Sequence, residues 1–175
     1  LVEEASTRKY VPVSLNEFCK NRIRKLEESG KWLEEHMPSE KAYAEGYITI
    51  EGAENILNKI RNLLSQVDQR VYISCTRNYL LLLVRELDEL MEARKKVVIL
   101  TDQPASFRNA KVYLGENRGM QIGIIADSKY VLTGEYGEGS MNTCLYSGQK
   151  NFVELYKTAL ANEIKLLSIR EENRY

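Results

Sequence analysis

An α/β domain built on a mixed sheet, entered through one long amphipathic helix, is the architecture this sequence predicts. Three observations carry it. From Tyr43 onward, apolar blocks of strand length alternate with apolar stripes of helical period. The block "KVVILTD" is apolar without alternation, as a strand covered on both faces should be. The blocks "MQIGIIAD" and "KYVLTGEY" then follow each other with Ser128 in a tight turn, the mark of a hairpin rather than a further crossover. Strands alternating with helices and closing in a hairpin give a sheet of mixed direction flanked by helices.

The elements follow in order. Ser14 is a candidate N-cap for a helix reading "LNEFCKNRIRKLEESGKWLEEHM". Leu15, Cys19, Ile23, Leu26, Gly30, Leu33 and Met37 form a narrow stripe among charges, and Pro38 ends it. Such a helix either lies on its own domain or pairs with a copy of itself. "EGYITIEG" reads as a short strand, and "AENILNKIRNLLSQV" as a helix with Ala53, Ile56, Leu57, Ile60, Leu63 and Leu64 on one face. "RVYISCT" is the second strand, and "NYLLLLVRELDELMEAR" a second helix of the domain with Asn78 available as its cap. After "KVVILTD" a polar crossover carries the short strand "KVYL". Beyond the hairpin, "NTCLYSG" is expected at a sheet edge. A closing helix, "QKNFVELYKTALANEIKLLSI", has Phe152, Leu155, Tyr156, Ala159, Leu160 and Ile164 as its expected buried stripe.

Composition narrows the function classes. A chain of 175 residues accommodates one well-packed domain and an appendage, and its 43% apolar and 29% charged residues describe a soluble globular protein. Lys+Arg and Asp+Glu balance at 25 each, which argues against this piece gripping DNA through its phosphates. No apolar run approaches the ~20 residues of a membrane span, and no signal peptide is visible. Cys19, Cys75 and Cys144 are far apart and odd in number, which suits buried thiols in a reducing cytoplasm. The chain opens at Leu1 rather than Met, so a segment is expected upstream.

Catalytic constellations are sparse. His36, the one histidine, lies in the charged first helix, so a histidine metal site or a Ser-His-Asp triad has nothing to work with in one chain. No metal or cofactor site is expected. "GEYGEGSMN" is rich in glycine but lacks the lysine of a phosphate cradle. Asp102 and Asp127 both end strands, where functional carboxylates of α/β sheets often stand and where Asp is also a good turn residue.

From Tyr43 to Ile169 the order of elements resembles the phospholipase D-like fold. The whole chain resembles the part of a TrmB-type transcriptional regulator that follows its winged-helix head. The linker "YVPVS", the strand "YITIEG", the helix "AENILNKIRNLL" and the strand "RVYISC" carry that likeness. It implies a linker and dimerisation helix over 1–42 and a phospholipase D-like regulatory domain over 43–175. It also implies a homodimer, a small-molecule effector such as a sugar or sugar phosphate, and DNA contact only through the absent head. Laid over the enzymes' H-x-K-x-x-x-x-D signature, Asp127 fits, but Met120 stands for the His that attacks phosphorus and Ile122 for the Lys that binds phosphate. The G-S-x-N motif occurs at Gly139, Ser140, Met141 and Asn142, whereas the enzymes' glycine would fall near Gly134. The expected function is therefore effector sensing and dimerisation without catalysis. An active phosphodiesterase with another site and a purely structural dimerisation module are the rivals. Ligands of α/β sheets collect beyond the carboxyl ends of strands. The expected site comprises Ser74, Thr76, Arg77, Asn78, Asp102 and Asp127, with Glu135, Tyr136 and Asn142 closing the cleft.

Overall fold

The computed structural model describes residues 13–37, 46–116, 118–138 and 141–172, with backbone alone at 171 and 172. Most of "YVPVS", together with Pro38, Tyr43, Gly139 and Ser140, lies outside the described residues. The chain divides into two units between residues 40 and 41.

The first unit is helix α1 (Leu15–His36), which opens where Ser14 Oγ accepts the Glu17 N–H at 3.2 Å. The expected cap is the observed one. None of its residues is buried within the unit, and Leu26 is 75% exposed. Cys19 is exposed as well, so the expectation of three buried thiols fails at this position, while Cys75 and Cys144 are buried. Among the described residues of this unit there is no second layer to cover the stripe of the helix.

The second unit is a seven-stranded mixed sheet between two helical layers. Its strands are β1 (Tyr47–Glu51), β2 (Arg70–Ser74), β3 (Lys96–Thr101), β4 (Lys111–Leu114), β5 (Gln121–Ala126), β6 (Tyr130–Glu135) and β7 (Thr143–Ser147), in the order β1-β7-β6-β5-β2-β3-β4. β2, β3 and β4 run parallel, and the remaining neighbours pair antiparallel, including the predicted hairpin of β5 and β6. "NTCLYSG" was expected at an edge, but β7 is interior. β1 pairs with its full length, from Tyr47 opposite Ser147 to Glu51 opposite Thr143. That partner lies about a hundred residues upstream, out of reach of a local pattern.

One face of the sheet is covered by α2 (Ala53–Ser65), α3 (Arg77–Leu81) and α4 (Val84–Glu92). Ile56, Ile60, Leu64, Leu87 and Leu90 pack there against Val71, Ile73, Val97, Ile99, Ile122 and Ile124. The other face lies under α5 (Lys150–Glu172), with Val98, Leu100, Tyr113, Ile125 and Val131 meeting Val153, Leu160 and Leu167. Two periods set this division: alternate strand residues face opposite layers, and helix residues three or four apart share a stripe.

Two helix expectations need correction. The run "NYLLLLVRELDELMEAR" is two helices, because the Leu82 and Leu83 N–H groups bond to the carbonyls of Tyr79 and Leu80, three residues back. No Gly or Pro marks that tighter turn in the sequence. Nor is Asn78 the cap. Thr76 occupies that position without a side-chain bond, and Asp102 on the β3 end accepts the Arg77 N–H at 3.0 Å. In α5 the buried stripe is rotated from the expected one, with Leu155 exposed and Val153 buried.

Candidate functional site

Ser74, Gly123 and Thr133 stand side by side across β2, β5 and β6, on the face covered by α5. Three small residues in a row leave a hollow where larger ones would have filled the layer. The hollow is a cleft of about 420 Å³, roofed by Tyr156, Ala159, Leu160 and Glu163 of α5. Their spacing of three, four and seven residues places them on one helix face. Gln121 and Glu135, paired across β5 and β6, form its outer rim.

Gly123 is required by this geometry. A Cβ there would lie 1.9 Å from Tyr156 Oη, so the phenol occupies the space that any side chain would need. The Thr133 hydroxyl donates to Tyr156 Oη at 3.0 Å. Burial raises the Tyr156 pKa, and the Thr133 bond offsets only part of that effect. The phenol is a neutral hydrogen-bonding group at neutral pH.

Arg118 enters from the β4–β5 loop and is the charged centre of the cleft. Its Nη1 donates to Ser74 Oγ at 2.6 Å and lies 3.5 Å from Glu163 Oε2, while Nη2 contacts Glu163 Oε1. The side chain is only 12% exposed, and its buried Nε has no hydrogen-bond partner. A buried donor left without a partner costs stability, so such a group calls for an explanation. A guanidinium presents a planar fork that binds carboxylates, as it does Glu163 here.

The residues expected at the site divide three ways. Ser74 and Glu135 line this cleft. Thr76, Arg77, Asn78, Asp102, Tyr136 and Asn142 share the same end of the sheet but not the cleft. Thr76 to Asn78 and Asp102 form the capped start of α3, so its leading N–H is already bonded rather than open to a ligand. Tyr136 packs edge-on against Tyr79, with ring centroids 5.1 Å apart, and Asn142 Oδ1 accepts the Gly137 N–H at 2.8 Å. Asp127 does not belong with the others. β5 runs antiparallel to β2, so Asp127 lies beside Arg70 at the opposite end of the sheet. Its carboxylate accepts the N–H groups of Asp68, Gln69 and Arg70 at 2.7, 2.8 and 2.9 Å.

The strand that would carry phosphodiester chemistry borders the cleft. Met120 is partly exposed and uses its carbonyl to receive the Tyr136 N–H at 2.9 Å, while Ile122 is buried in the core beneath α2 and α4. Gly134 lies where the enzymes' motif would place its glycine. A Cβ there would come within 2.2 Å of the Thr143 carbonyl oxygen, so close strand packing requires it. The Cys75 thiol is pushed up to about 12 by burial despite the lowering effect of the Arg118 cation. Among the described residues no group of three or more His, Cys, Asp or Glu could hold a metal.

Arg118, Gln121, Gly123, Thr133, Tyr156 and Glu163 were not anticipated from the sequence. One signal was available: Glu163 follows Tyr156 by seven residues and Leu160 by three, a charge on an otherwise buried stripe.

No family model and no curated protein matches this chain. Solved structures do. TrmBL2, an archaeal chromatin protein, shares 12% identity over 86% of this chain and 63% of its own, with a TM-score of 0.61. NucT from Helicobacter pylori gives 0.54 at 16% identity, over 69% of this chain and 97% of its own. The phospholipase D family member Nuc from Salmonella typhimurium gives 0.52 at 10% identity, over 67% and 92%. At these identities the likeness is one of fold: the domain has a phospholipase D-like architecture. The chain spans 63% of the length of TrmBL2. No helix among the described residues is long and apolar enough to cross a membrane.

Proposed function

We propose that this chain is the effector-sensing and dimerisation part of a prokaryotic transcription regulator, a cytoplasmic homodimer whose phospholipase D-like domain performs no catalysis. The observation that carries the reading is the state of β5. The strand keeps its place in the sheet, while an attacking nitrogen is replaced by Met120 and a phosphate-binding cation by the buried Ile122. A polar cleft built around Arg118 nevertheless persists beside it. A cleft able to hold a ligand, with no nucleophile beside it, suits a sensor. TrmBL2, described as a chromatin protein with a novel mode of DNA binding, places a DNA-binding protein among the fold neighbours beside a phospholipase D family member, which is consistent with this reading.

In this reading Arg118 takes the anionic group of a sugar phosphate or related effector, with Ser74 and Tyr156 bonding its hydroxyls. DNA is contacted by a winged-helix head outside these residues. Two copies join through the apolar stripe of α1, since reading a two-fold operator requires paired heads.

The test is a thermal-shift screen with sugars and sugar phosphates. A ligand at about a hundred times its Kd stabilises by about 2.7 kcal/mol. Arg118→Lys, which keeps the charge and loses the fork, should remove most of the shift for the hit compound. Absence of any hit favours a structural dimerisation module. Turnover of a phosphodiester dye that survives further purification returns the protein to the enzymes.

A further inference from the structure

Three parallel strands each begin with a cation followed two residues later by a residue facing α5: Arg70-Val71-Tyr72, Lys96-Val97-Val98 and Lys111-Val112-Tyr113. The period of two places all three cations on the α5 face, at the end of the sheet opposite the Arg118 cleft. α5 contributes Lys157 and Lys165, which flank Ala161 at intervals of four residues and so share one helix face. These five cations surround a second cavity of about 380 Å³. It adjoins the Arg118 cleft at Leu160, which lines both.

The chain as a whole is neutral, with 25 cationic and 25 anionic residues, yet no carboxylate lines this cavity. Among the described residues, none of Arg70, Lys96 and Lys165 is within ion-pair distance of a carboxylate, whereas Lys157 pairs with Glu154 at 2.8 Å. Concentrating like charges around a hollow opposes folding, and an anion relieves that repulsion. The floor is apolar and aromatic, formed by Tyr72, Val98, Tyr113, Ile125 and Ile164. Lys96 Nζ lies 5.8 Å from the Tyr72 ring centroid and Lys111 Nζ 4.9 Å from that of Tyr113, which keeps cations beside the rings.

We infer that this cavity binds a nucleoside polyphosphate, its base on the apolar floor and its phosphates among the lysines. A planar ring accounts for the floor, and a phosphate chain for the cations. Convergence favours a small molecule over a nucleic-acid strand. Arg70, Lys96 and Lys111 approach from the sheet and Lys157 and Lys165 from the helix, so the charges meet around one volume rather than forming a track. A cavity of this size falls in the range of small-molecule pockets.

Calorimetry with ATP, tripolyphosphate, adenosine and a short single-stranded oligonucleotide tests the assignment. ATP should bind, with tripolyphosphate and adenosine each weaker by about tenfold or more. Lys96→Glu combined with Lys165→Glu, both at exposed positions, should weaken ATP by at least about tenfold without lowering the melting temperature. Arg118→Ala should leave ATP binding intact, which separates this site from the effector cleft. The inference is overturned if ATP fails to bind at millimolar concentration or if the double variant binds it normally. Equal affinity for tripolyphosphate reduces the site to an anion patch. Binding of the oligonucleotide without ATP makes it a nucleic-acid surface instead.

Discussion

Replacing Asp127 distinguishes a carboxylate that holds the fold from one that takes part in chemistry. The side chain accepts three backbone N–H groups from Asp68, Gln69 and Arg70. Its own N–H bonds to the Arg70 carbonyl at 2.9 Å, and its φ of +50° lies in the left-handed region that Asp and Asn tolerate better than most residues. Asp127→Ala removes all three side-chain bonds and places Ala at a positive φ. Hydrogen bonds to a charged group are worth about 1.5–3 kcal/mol when well shielded, but these are solvent-accessible, which reduces each to about 0.5 kcal/mol. Adding about 0.5–1 kcal/mol for the backbone gives a total loss of about 2 kcal/mol. Asp127→Asn keeps the φ tolerance and one acceptor oxygen, so about 1 kcal/mol is expected. Urea denaturation at neutral pH reads both differences.

The same bonds predict the pH dependence. Desolvation of Asp127 acts to raise its pKa, but the N–H groups of Asp68, Arg70 and Gln69, aided by Lys129, outweigh it and lower the value. A folded pKa below the unfolded one contributes stability that is present above the ordinary aspartate value. That contribution is lost as pH falls through the lowered one. The gap between the native protein and Asp127→Asn should therefore be full at pH 7 and narrow as the carboxylate protonates. Two variants as stable as the native protein, or a gap that does not change with pH, would refute the structural role. Effector binding at the Arg118 cleft should be unaffected, because Asp127 lies at the other end of the sheet.

Gly123→Ala should destabilise by about 2 kcal/mol, and combining it with Tyr156→Leu should cost less than the sum of the two, as chemical denaturation of the double-mutant cycle would show. An aromatic disulfide reagent should spare Cys75 and Cys144 in the folded chain, whatever the access to Cys19 on the α1 stripe of the proposed dimer, and label all three cysteines in denaturant. Cys19 is exposed, whereas burial raises Cys144 to about 11 and Cys75 to about 12. Light scattering at micromolar concentration should give twice the chain mass, and Leu26→Glu on the exposed stripe of α1 should shift it toward the monomer. A native protein that is already monomeric would end the dimer proposal.

By itself the sequence determined the class of fold, nearly all the strands, the hairpin and the absence of a His and Lys pair at Met120 and Ile122. Each is a local property: a period of two or 3.6 is expressed within one element, and a missing side chain is missing in any arrangement. Tertiary structure decided what depends on distant residues. It paired β7 with β1, and it put Asp127 beside Arg70 rather than Asp102 because β5 runs against β2. It also closed Arg118 onto Ser74 and Glu163, about forty-five residues away on either side. The three cation-led strands show how the levels meet. Their spelling was present in the sequence throughout, but its meaning depended on β2, β3 and β4 lying parallel in register beneath α5. Parallel neighbours are joined by crossovers, and no short-range pattern specifies which strands they bring together.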